Sequence, residues 1–323
     1  MTHALVIGGT RFLGRHVVSH LLDSGYDVTL FNRGEHDNPF GDRVEHREGD
    51  RTVEGELRRA ALVDPDVVVD CVAYRPKDVR VAADVFADVE AYVYISSAAA
   101  YSETRTPARE SEAPLCACTT QQALDDSAGS YGPRKAEGDR AVSAAADRGI
   151  RAMSIRPPIV YGPHDYTGRF GYWIDRVADY DRIVVPAETA LGHLAFAEDV
   201  ATAVRVVAES GTAGAAYNVG DGHAPSLTEW IDRIGAALGT DIEVVTASRR
   251  ELAAVDVDPA AFPLYRTEPL LLSTERLRDL GWRSTPLEEA LETTIAARDR
   301  GDGTDGPDRP TIERLLDVLE TVG

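Results

Sequence analysis

Over the first 220 residues, short and nearly unbroken apolar runs alternate with stretches whose apolar positions recur every three or four residues. The runs Ala4 to Ile7, Tyr26 to Phe31, Asp66 to Cys71, Ala91 to Ser96 and Arg151 to Arg156 read as strands, and the more polar Val44 to Arg47 looks like another. Continuous apolar runs such as Asp66 to Cys71 suit strands buried on both faces. Between them, Arg15 to Ser24 carries Val17, Val18, Leu21 and Leu22 at helical spacing, and Glu54 to Leu62 and Val79 to Val89 also read as helices. A further helix runs through Tyr131. Pro133 is tolerated in a first helical turn, which predicts that this helix starts close to Tyr131. Alternation of this kind predicts an α/β fold with a doubly wound parallel sheet.

Past Arg156 the pattern changes. Pro157 to Pro186 is rich in turns and aromatic residues and is expected to leave the sheet. Phe196 to Glu209 and Leu227 to Leu238 read as helices and Ala216 to Val219 as a short strand. These readings divide the chain into a dinucleotide-binding domain over 1–165 and 190–222 and a smaller C-terminal α+β substrate lobe over 166–189 and 223–300. A polar Gly/Asp/Pro linker from Gly301 to Pro310 follows. Residues 301–323 end in an amphipathic helix carrying Ile312, Leu315, Leu316, Leu319 and Val322, which either packs back on the body or joins subunits. There is no internal repeat.

Charge changes the picture. Asp and Glu outnumber Lys and Arg by 54 to 34, for a formal net charge of −20. The acids are spread along the chain, a distribution that repels nucleic acid and anionic membranes. Only two basic side chains are lysines, Lys77 and Lys135; apart from histidine, the rest are arginines. Together these features suggest a protein adapted to high salt, where screening within ~3 Å at molar ionic strength limits self-repulsion. Of the cysteines, Cys71 falls in a strand, and Cys116 and Cys118 have no matching His/Cys cluster, so no metal site is expected. No apolar run reaches the ~18 residues of a membrane span, and no signal segment opens the chain; a soluble, cytoplasmic protein is expected.

Gly8-Gly9-Thr10-Arg11-Phe12-Leu13-Gly14 follows the first strand and precedes a helix. Glycines there let the backbone approach a pyrophosphate, and the helix N-terminus offers free N–H groups. At the end of the second strand, where an acid commonly holds the ribose of NAD, stand Asn32 and Arg33. A guanidinium in place of an acid suits a 2′-phosphate, and Arg11 is a second candidate, so the cofactor is read as NAD(P), leaning to NADP. Asp50, with Arg51 beside it, closes the third strand and is placed for the adenine; Ala73 would line the cofactor with backbone.

Lys135 stands four residues after Tyr131, on one face of a helix. A compact ammonium beside a phenol lowers its pKa and equips it for proton transfer near neutral pH.

The ordered series Gly8 to Gly14, Gly49-Asp50, Tyr94-Ile95-Ser96-Ser97, Tyr131 to Lys135, Arg156-Pro157-Pro158-Ile159-Val160-Tyr161-Gly162-Pro163, Ala197 to Ala201, Tyr217 to Gly220 and Leu280-Gly281-Trp282 resembles the short-chain dehydrogenase/reductase superfamily. More closely it resembles the extended branch, the NAD(P)-dependent epimerase/dehydratase family, over roughly residues 3 to 300. The resemblance implies a Rossmann-type domain, with Ser97 holding the substrate oxygen, Tyr131 as acid/base and Lys135 binding the nicotinamide ribose. It implies that Pro157, Ile159 and Val160 contact the nicotinamide end. Arg11 replaces the middle glycine of the usual turn, a variant shared with relatives of chloroplast stem-loop-binding proteins, some of which have RNA roles. Ala98 and Ala99 replace the Asp-Glu pair of sugar-nucleotide 4,6-dehydratases, which argues against that reaction.

Candidate substrate residues are Arg75 and Ala98 in the first domain, then His164, Arg169, Tyr172 and Trp173 after the Tyr161-Gly162-Pro163 turn, with His193 and Arg266 further on. Three readings follow: an epimerase acting on a nucleotide sugar, an NADP-dependent reductase of a small carbonyl compound, and a non-catalytic NAD(P)- or RNA-binding protein. The intact Ser97, Tyr131 and Lys135 and the acidic surface weigh against the last. Extended-branch relatives imply a homodimer, through the helices at 79–89 and 131–146.

Overall fold

A computed structural model describes residues 1–103, 105–298 and 306–322. The elements in chain order begin with β1 (His3–Ile7), α1 (Phe12–Asp23), β2 (Asp27–Asn32), β3 (Glu45–Glu48), α2 (Glu54–Ala60), β4 (Val67–Asp70), α3 (Pro76–Val85) and β5 (Ala91–Ile95). Then come α4 (Thr120–Leu124), α5 (Ala128–Ala146), β6 (Ala152–Arg156), β7 (Ile159–Tyr161), α6 (Gly171–Asp179), β8 (Arg182–Pro186), β9 (Leu194–Phe196) and α7 (Ala197–Ser210). The series closes with β10 (Ala216–Asn218), α8 (Leu227–Leu238), β11 (Glu243–Ala247), α9 (Arg249–Ala253), α10 (Glu275–Asp279), α11 (Leu287–Ala296) and α12 (Arg309–Val322). Among the described residues, no helix is long and apolar enough to cross a membrane.

The chain forms two compact units. The first comprises Met1–Val160, Leu194–Gly220 and Leu272–Ser284. Its seven strands lie in the order β10-β6-β5-β4-β1-β2-β3, and every neighbouring pair is parallel. This is the Rossmann-type doubly wound sheet expected from the sequence, with its order reversing beside β1. Side chains alternate between two cores. Val6, Leu30, Val69, Val93 and Ile155 pack with Val17, Val18 and Leu21 of α1 and Val200, Val204 and Val207 of α7. Leu5, Ile7, Phe31, Val68, Tyr92 and Tyr94 pack on the other face with Leu57, Val79, Ala82, Ala141 and Val142 from α2, α3 and α5. Parallel strands covered on both faces explain the unbroken apolar runs.

Residues 272–284 were expected in the smaller lobe but belong to the first unit. Leu277 and Trp282 enter its core, and the Trp282 indole donates to the carbonyl of Asp199 at 3.0 Å. The helix of Tyr131 also starts earlier than expected, at Ala128. Ser127 Nα donates to Asp125 Oδ1 and Ser130 Oγ to Asp125 Oδ2, and this cluster sets the start. Pro133 then lies inside the helix, and the bond it cannot donate would have gone to the first-turn carbonyl of Gly129.

The second unit comprises Tyr161–His193, Asp221–Leu271 and Thr285–Gly323, with β8 and β11 paired in parallel. The C-terminal helix α12 packs within it: Ile312, Leu315 and Leu316 are buried, Arg182 pairs with Glu320 at 2.6 Å and the Arg309 guanidinium lies 3.9 Å over the Tyr180 ring. Of the polar linker expected before it, 301–305 lies outside the described residues.

Candidate active site

The carboxyl ends of β1, β2, β3, β4, β5 and β6 carry Gly8, Asn32, Asp50, Ala73, Ser97 and Pro157 at or just beyond their last residues, so the parallel sheet alone brings them to one edge. The turn after β1 is tight. A Cβ on Gly14 would lie 2.8 Å from Gly9 N, and Gly9 itself adopts φ +98°. Gly9, not singled out in the sequence, is therefore as necessary as Gly8 and Gly14. Helix α1 begins after Arg11 with no side-chain cap and no acid in its first turn, which leaves a positive helix end suited to phosphate. Thr10 and Leu13 are partly buried, Phe12 is buried and Arg11 is exposed.

Asn32 is tied into the fold: its Nδ2 donates to Gly8 O at 3.3 Å, and its Oδ1 accepts from Gly34 N at 2.9 Å and contacts His46 Nε2 at 3.1 Å. It braces the glycine turn against β2. Arg33 is exposed and pairs with Glu35 at 2.9 Å. Asp50 Oδ1 accepts from Thr52 N and Oγ1, and these bonds hold its carboxyl below the usual range.

Arg51 departs from its expected role beside the cofactor. Its side chain is buried and paired with Asp70, which also accepts from the Tyr92 hydroxyl at 3.1 Å, and with Asp78 at 3.5 Å. Strand β3 ends opposite β4 and α3, whose acids draw the guanidinium inward and tie the three elements together.

Lys135 is buried and donates to two carbonyls, Ala73 at 3.1 Å and Ile95 at 2.7 Å. An ammonium has three protons, so one is left for a ligand. Burial pushes Lys135 down to about 8, opposed by the charges of Asp70 and Asp139. Its Nζ lies 5.8 Å from the centre of the Tyr131 ring. Ser97 precedes a 3-10 turn at Ala98–Ala100; its Oγ accepts from Ala99 N at 3.2 Å and lies 3.5 Å from Pro157 O. Gly132 brings α5 onto this turn, because a Cβ there would collide with Ala99 O. Gly132 is adjacent to Tyr131 and Ala99 is two residues past Ser97, so this close approach joins the two elements. Ile159 and Val160 follow in β7.

A buried polar chain lies behind α5. Arg156 Nε donates to Asp139 Oδ2 at 2.8 Å, Arg156 Nη1 to the Tyr101 hydroxyl at 3.1 Å, and that hydroxyl to Asn218 Oδ1 at 2.7 Å. Asp139 lies four residues beyond Lys135, a spacing from which the sequence could have disclosed it.

The substrate candidates fall in differing surroundings. Ala98 is buried and donates its N–H to Pro157 O at 2.8 Å, whereas Ala99 is the exposed residue of that turn. Arg75 is engaged with Asp126 at 2.6 Å, which also pairs with Arg134. In the second unit Tyr172 and Trp173 are core: the Tyr172 hydroxyl donates to Pro307 O at 3.0 Å and the Trp173 indole to Pro263 O at 2.9 Å. His164 is exposed with φ +65°, and Arg169 is exposed with Nε 3.3 Å from Thr167 Oγ1. His193 is half-buried beside the Leu270 carbonyl, which its backbone N–H reaches at 2.9 Å. Arg266 is half-buried, and among the described residues its guanidinium has no hydrogen-bond or ion-pair partner; burial pushes its pKa down. Gly192 makes room for it: a Cβ there would lie 2.8 Å from Arg266 Nε.

Known proteins share this fold. The chain is 29% identical over 217 residues to chloroplast stem-loop binding protein of 41 kDa b from Arabidopsis thaliana, covering 62% of this chain and 53% of that protein. The chain thus spans about half the length of that curated relative. Its fold matches UDP-glucose 4-epimerase with UDP-glucose from Thermotoga maritima (TM-score 0.72, 19% identity, 92% of this chain and 98% of that one). It also matches dTDP-glucose 4,6-dehydratase in complex with NAD from Bacillus anthracis (TM-score 0.72, 18% identity, 92% and 96%). The profile of the NAD dependent epimerase/dehydratase family fits residues 4–86 and 79–220. With a glycine turn and Ser97 at the edge of one parallel sheet and the Tyr131–Lys135 pair on α5, the chain belongs to the NAD dependent epimerase/dehydratase family.

Proposed function

We propose that this enzyme interconverts a secondary alcohol and its ketone on a nucleotide sugar, using NAD(P) with a preference for NADP. The observation that carries the reading is Lys135: buried, fixed by two carbonyls, 5.8 Å from the Tyr131 ring and with one proton to spare. The uncapped start of α1 and the bare turn over Gly9 and Gly14 fit a dinucleotide pyrophosphate.

When bound, the nicotinamide supplies the hydride chemistry, accepting hydride from the carbinol carbon and returning it. Tyr131, as phenolate, takes the hydroxyl proton as the C–O bond becomes a carbonyl, and returns it in the reverse step. The Ser97 hydroxyl donates to the same oxygen; Ala99 N–H, bonded to Ser97 Oγ, orients it. The Lys135 charge favours the phenolate, and its remaining proton suits a ribose hydroxyl. In an epimerase the ketone turns between the two steps and hydride returns to its other face.

Arg266 supports a nucleotide-sugar substrate, because a guanidinium that is half-buried and, among the described residues, unpartnered suits a diphosphate. Asn32 and Arg33, in place of an acid, support NADP, and the same observation favours a second reading, an NADP-dependent reductase of a small carbonyl compound that exchanges its cofactor each turnover. The relative's name raises RNA binding; the charge of −20 opposes it. A homodimer through α3 and α5 is expected, and light scattering in molar salt tests it.

Mass spectrometry of the small molecules released on denaturing the protein, purified in molar salt, tests the reading. Retained NAD(P) supports an epimerase, and NAD rather than NADP overturns the preference. An empty protein that binds NADPH over NADH supports the reductase. Tyr131→Phe abolishes turnover and leaves cofactor binding intact; a variant that is unaffected overturns the hydride-transfer reading.

A further inference from the structure

Three tyrosine rings surround the Lys135 ammonium, with centroids at 4.8 Å for Tyr94, 5.4 Å for Tyr74 and 5.8 Å for Tyr131. They differ in exposure. Tyr94 is buried in β5 at 1%, whereas Tyr74, in the loop between β4 and α3, is 50% exposed. Lys135 itself is 2% exposed. Its underside is closed by the carbonyls of Ala73 and Ile95. Tyr74 directly follows Ala73, so the loop that fixes one proton of Lys135 also sets a ring near its charge.

We propose that Tyr74 is a positioning residue for Lys135: its ring covers the ammonium on the solvent side, keeps water from it, and holds it through its π face. A cation–π contact compensates part of the lost hydration while leaving the remaining proton free to be donated. With water kept out, the field of the ammonium on Tyr131 is less damped than it would be in solvent. The ammonium is correspondingly closer to losing its own proton, in keeping with the downward push that burial gives it. The other groups that face Lys135 are Asp70 and Cys71 from the end of β4, Tyr94 from β5, and Tyr131, Arg134 and Asp139 from α5. The carboxylates oppose deprotonation, and Arg134 favours it.

This proposal deepens the role given to Lys135 above, and its test needs neither substrate nor turnover, so the two readings fail separately. The chain has two lysines, and Lys77 is exposed. Full-length protein labelled with 13C at lysine Cε therefore gives two signals, with Lys77→Arg assigning them and Lys77 serving as an internal control. Tyr74→Ala is expected to raise the titration midpoint of Lys135 by ~1 pH unit or more, toward that of a hydrated lysine. Tyr74→Phe is expected to leave it in place, because the ring and not the hydroxyl forms the cover. Tyr74→Gln, which brings a polar group to the same space, is expected to behave as alanine does. An unchanged midpoint in the alanine and glutamine variants overturns the proposal, as does a phenylalanine variant that shifts as far as alanine. Failure of both the alanine and glutamine variants to fold makes Tyr74 a core residue and overturns it equally.

Discussion

Lys135 donates to the carbonyl of Ile95 at 2.7 Å, two residues ahead of Ser97, so the ammonium and the catalytic serine candidate share one strand end. Burial holds Lys135 near about 8, below its ordinary 10.5. Activity that depends on its charge is then expected to fall as pH rises through about 8. Stability moves the other way. Between the folded value near 8 and the unfolded value near 10.5, the unfolded chain holds a proton that the folded chain has released, so this group makes the fold more stable as pH rises across that window. The effect is on the order of 3 kcal/mol at full extent. Thermal unfolding of the wild type against Lys135→Met, followed from pH 7 to 10.5, should lose that rise in the variant.

Arg33 is the residue on which the cofactor preference rests. Its pairing with Glu35 is exposed and weak, which leaves the guanidinium able to turn to a phosphate. Arg33→Asp is expected to weaken NADPH binding by roughly 10- to 100-fold, the value of one or two charge-assisted bonds, and to strengthen NADH binding. Fluorescence titration with both nucleotides measures it; unchanged NADPH affinity would return Arg33 to the role of a surface residue.

Removal of the C-terminal helix should destabilise the second unit. Ile312, Leu315 and Leu316 are buried, and Pro307 O accepts from both Tyr172 and Arg176. A chain ending before Gly306 exposes the partners of all three side chains, each contributing ~1.5–3 kcal/mol. Leu315→Ala, at 0% exposure, is the gentler probe and is expected to cost ~2–5 kcal/mol in urea unfolding. A change within error would mean that the helix contributes little to the fold.

Salt should matter throughout. With a net charge of −20, repulsion among exposed carboxylates is weakly screened in dilute buffer and strongly screened in molar salt. The thermal midpoint is expected to rise steeply from dilute to molar KCl. Cooperative unfolding that is indifferent to KCl would remove the high-salt reading.

Most of the sheet was legible because its strands are buried on both faces, which leaves uninterrupted apolar runs with glycine turns between them. The glycine turn and the Tyr131–Lys135 spacing stood out as local motifs, and Ser97 entered through the resemblance; the parallel sheet brings the turn and Ser97 to one edge. What was misread depended on distant partners. Arg51 looked like a cofactor ligand beside Asp50, but its acids lie on β4 and α3, far along the chain. Tyr172 and Trp173 were read as substrate candidates from their place after the Tyr161-Gly162-Pro163 turn, which does not show what covers them; Pro307 and Pro263 accept from them. That Ala98 is buried and Ala99 exposed could not be read, because a single 3-10 turn has no periodicity. Tyr74 gave no sequence signal: its place depends on where α5 carries Lys135.

The parallel sheet is completed by chain that arrives late. Helix α7 (Ala197–Ser210) covers the core face of the strands beside α1, β10 forms the sheet edge, and Trp282 seals the same core. A ribosome that has released residue 160 has made the glycine turn, Ser97, Tyr131 and Lys135, yet one face of their sheet carries α1 and still lacks α7 and Trp282. The nascent chain must therefore wait through two excursions before this domain can close, and cofactor capture during synthesis is delayed until about residue 284 has emerged.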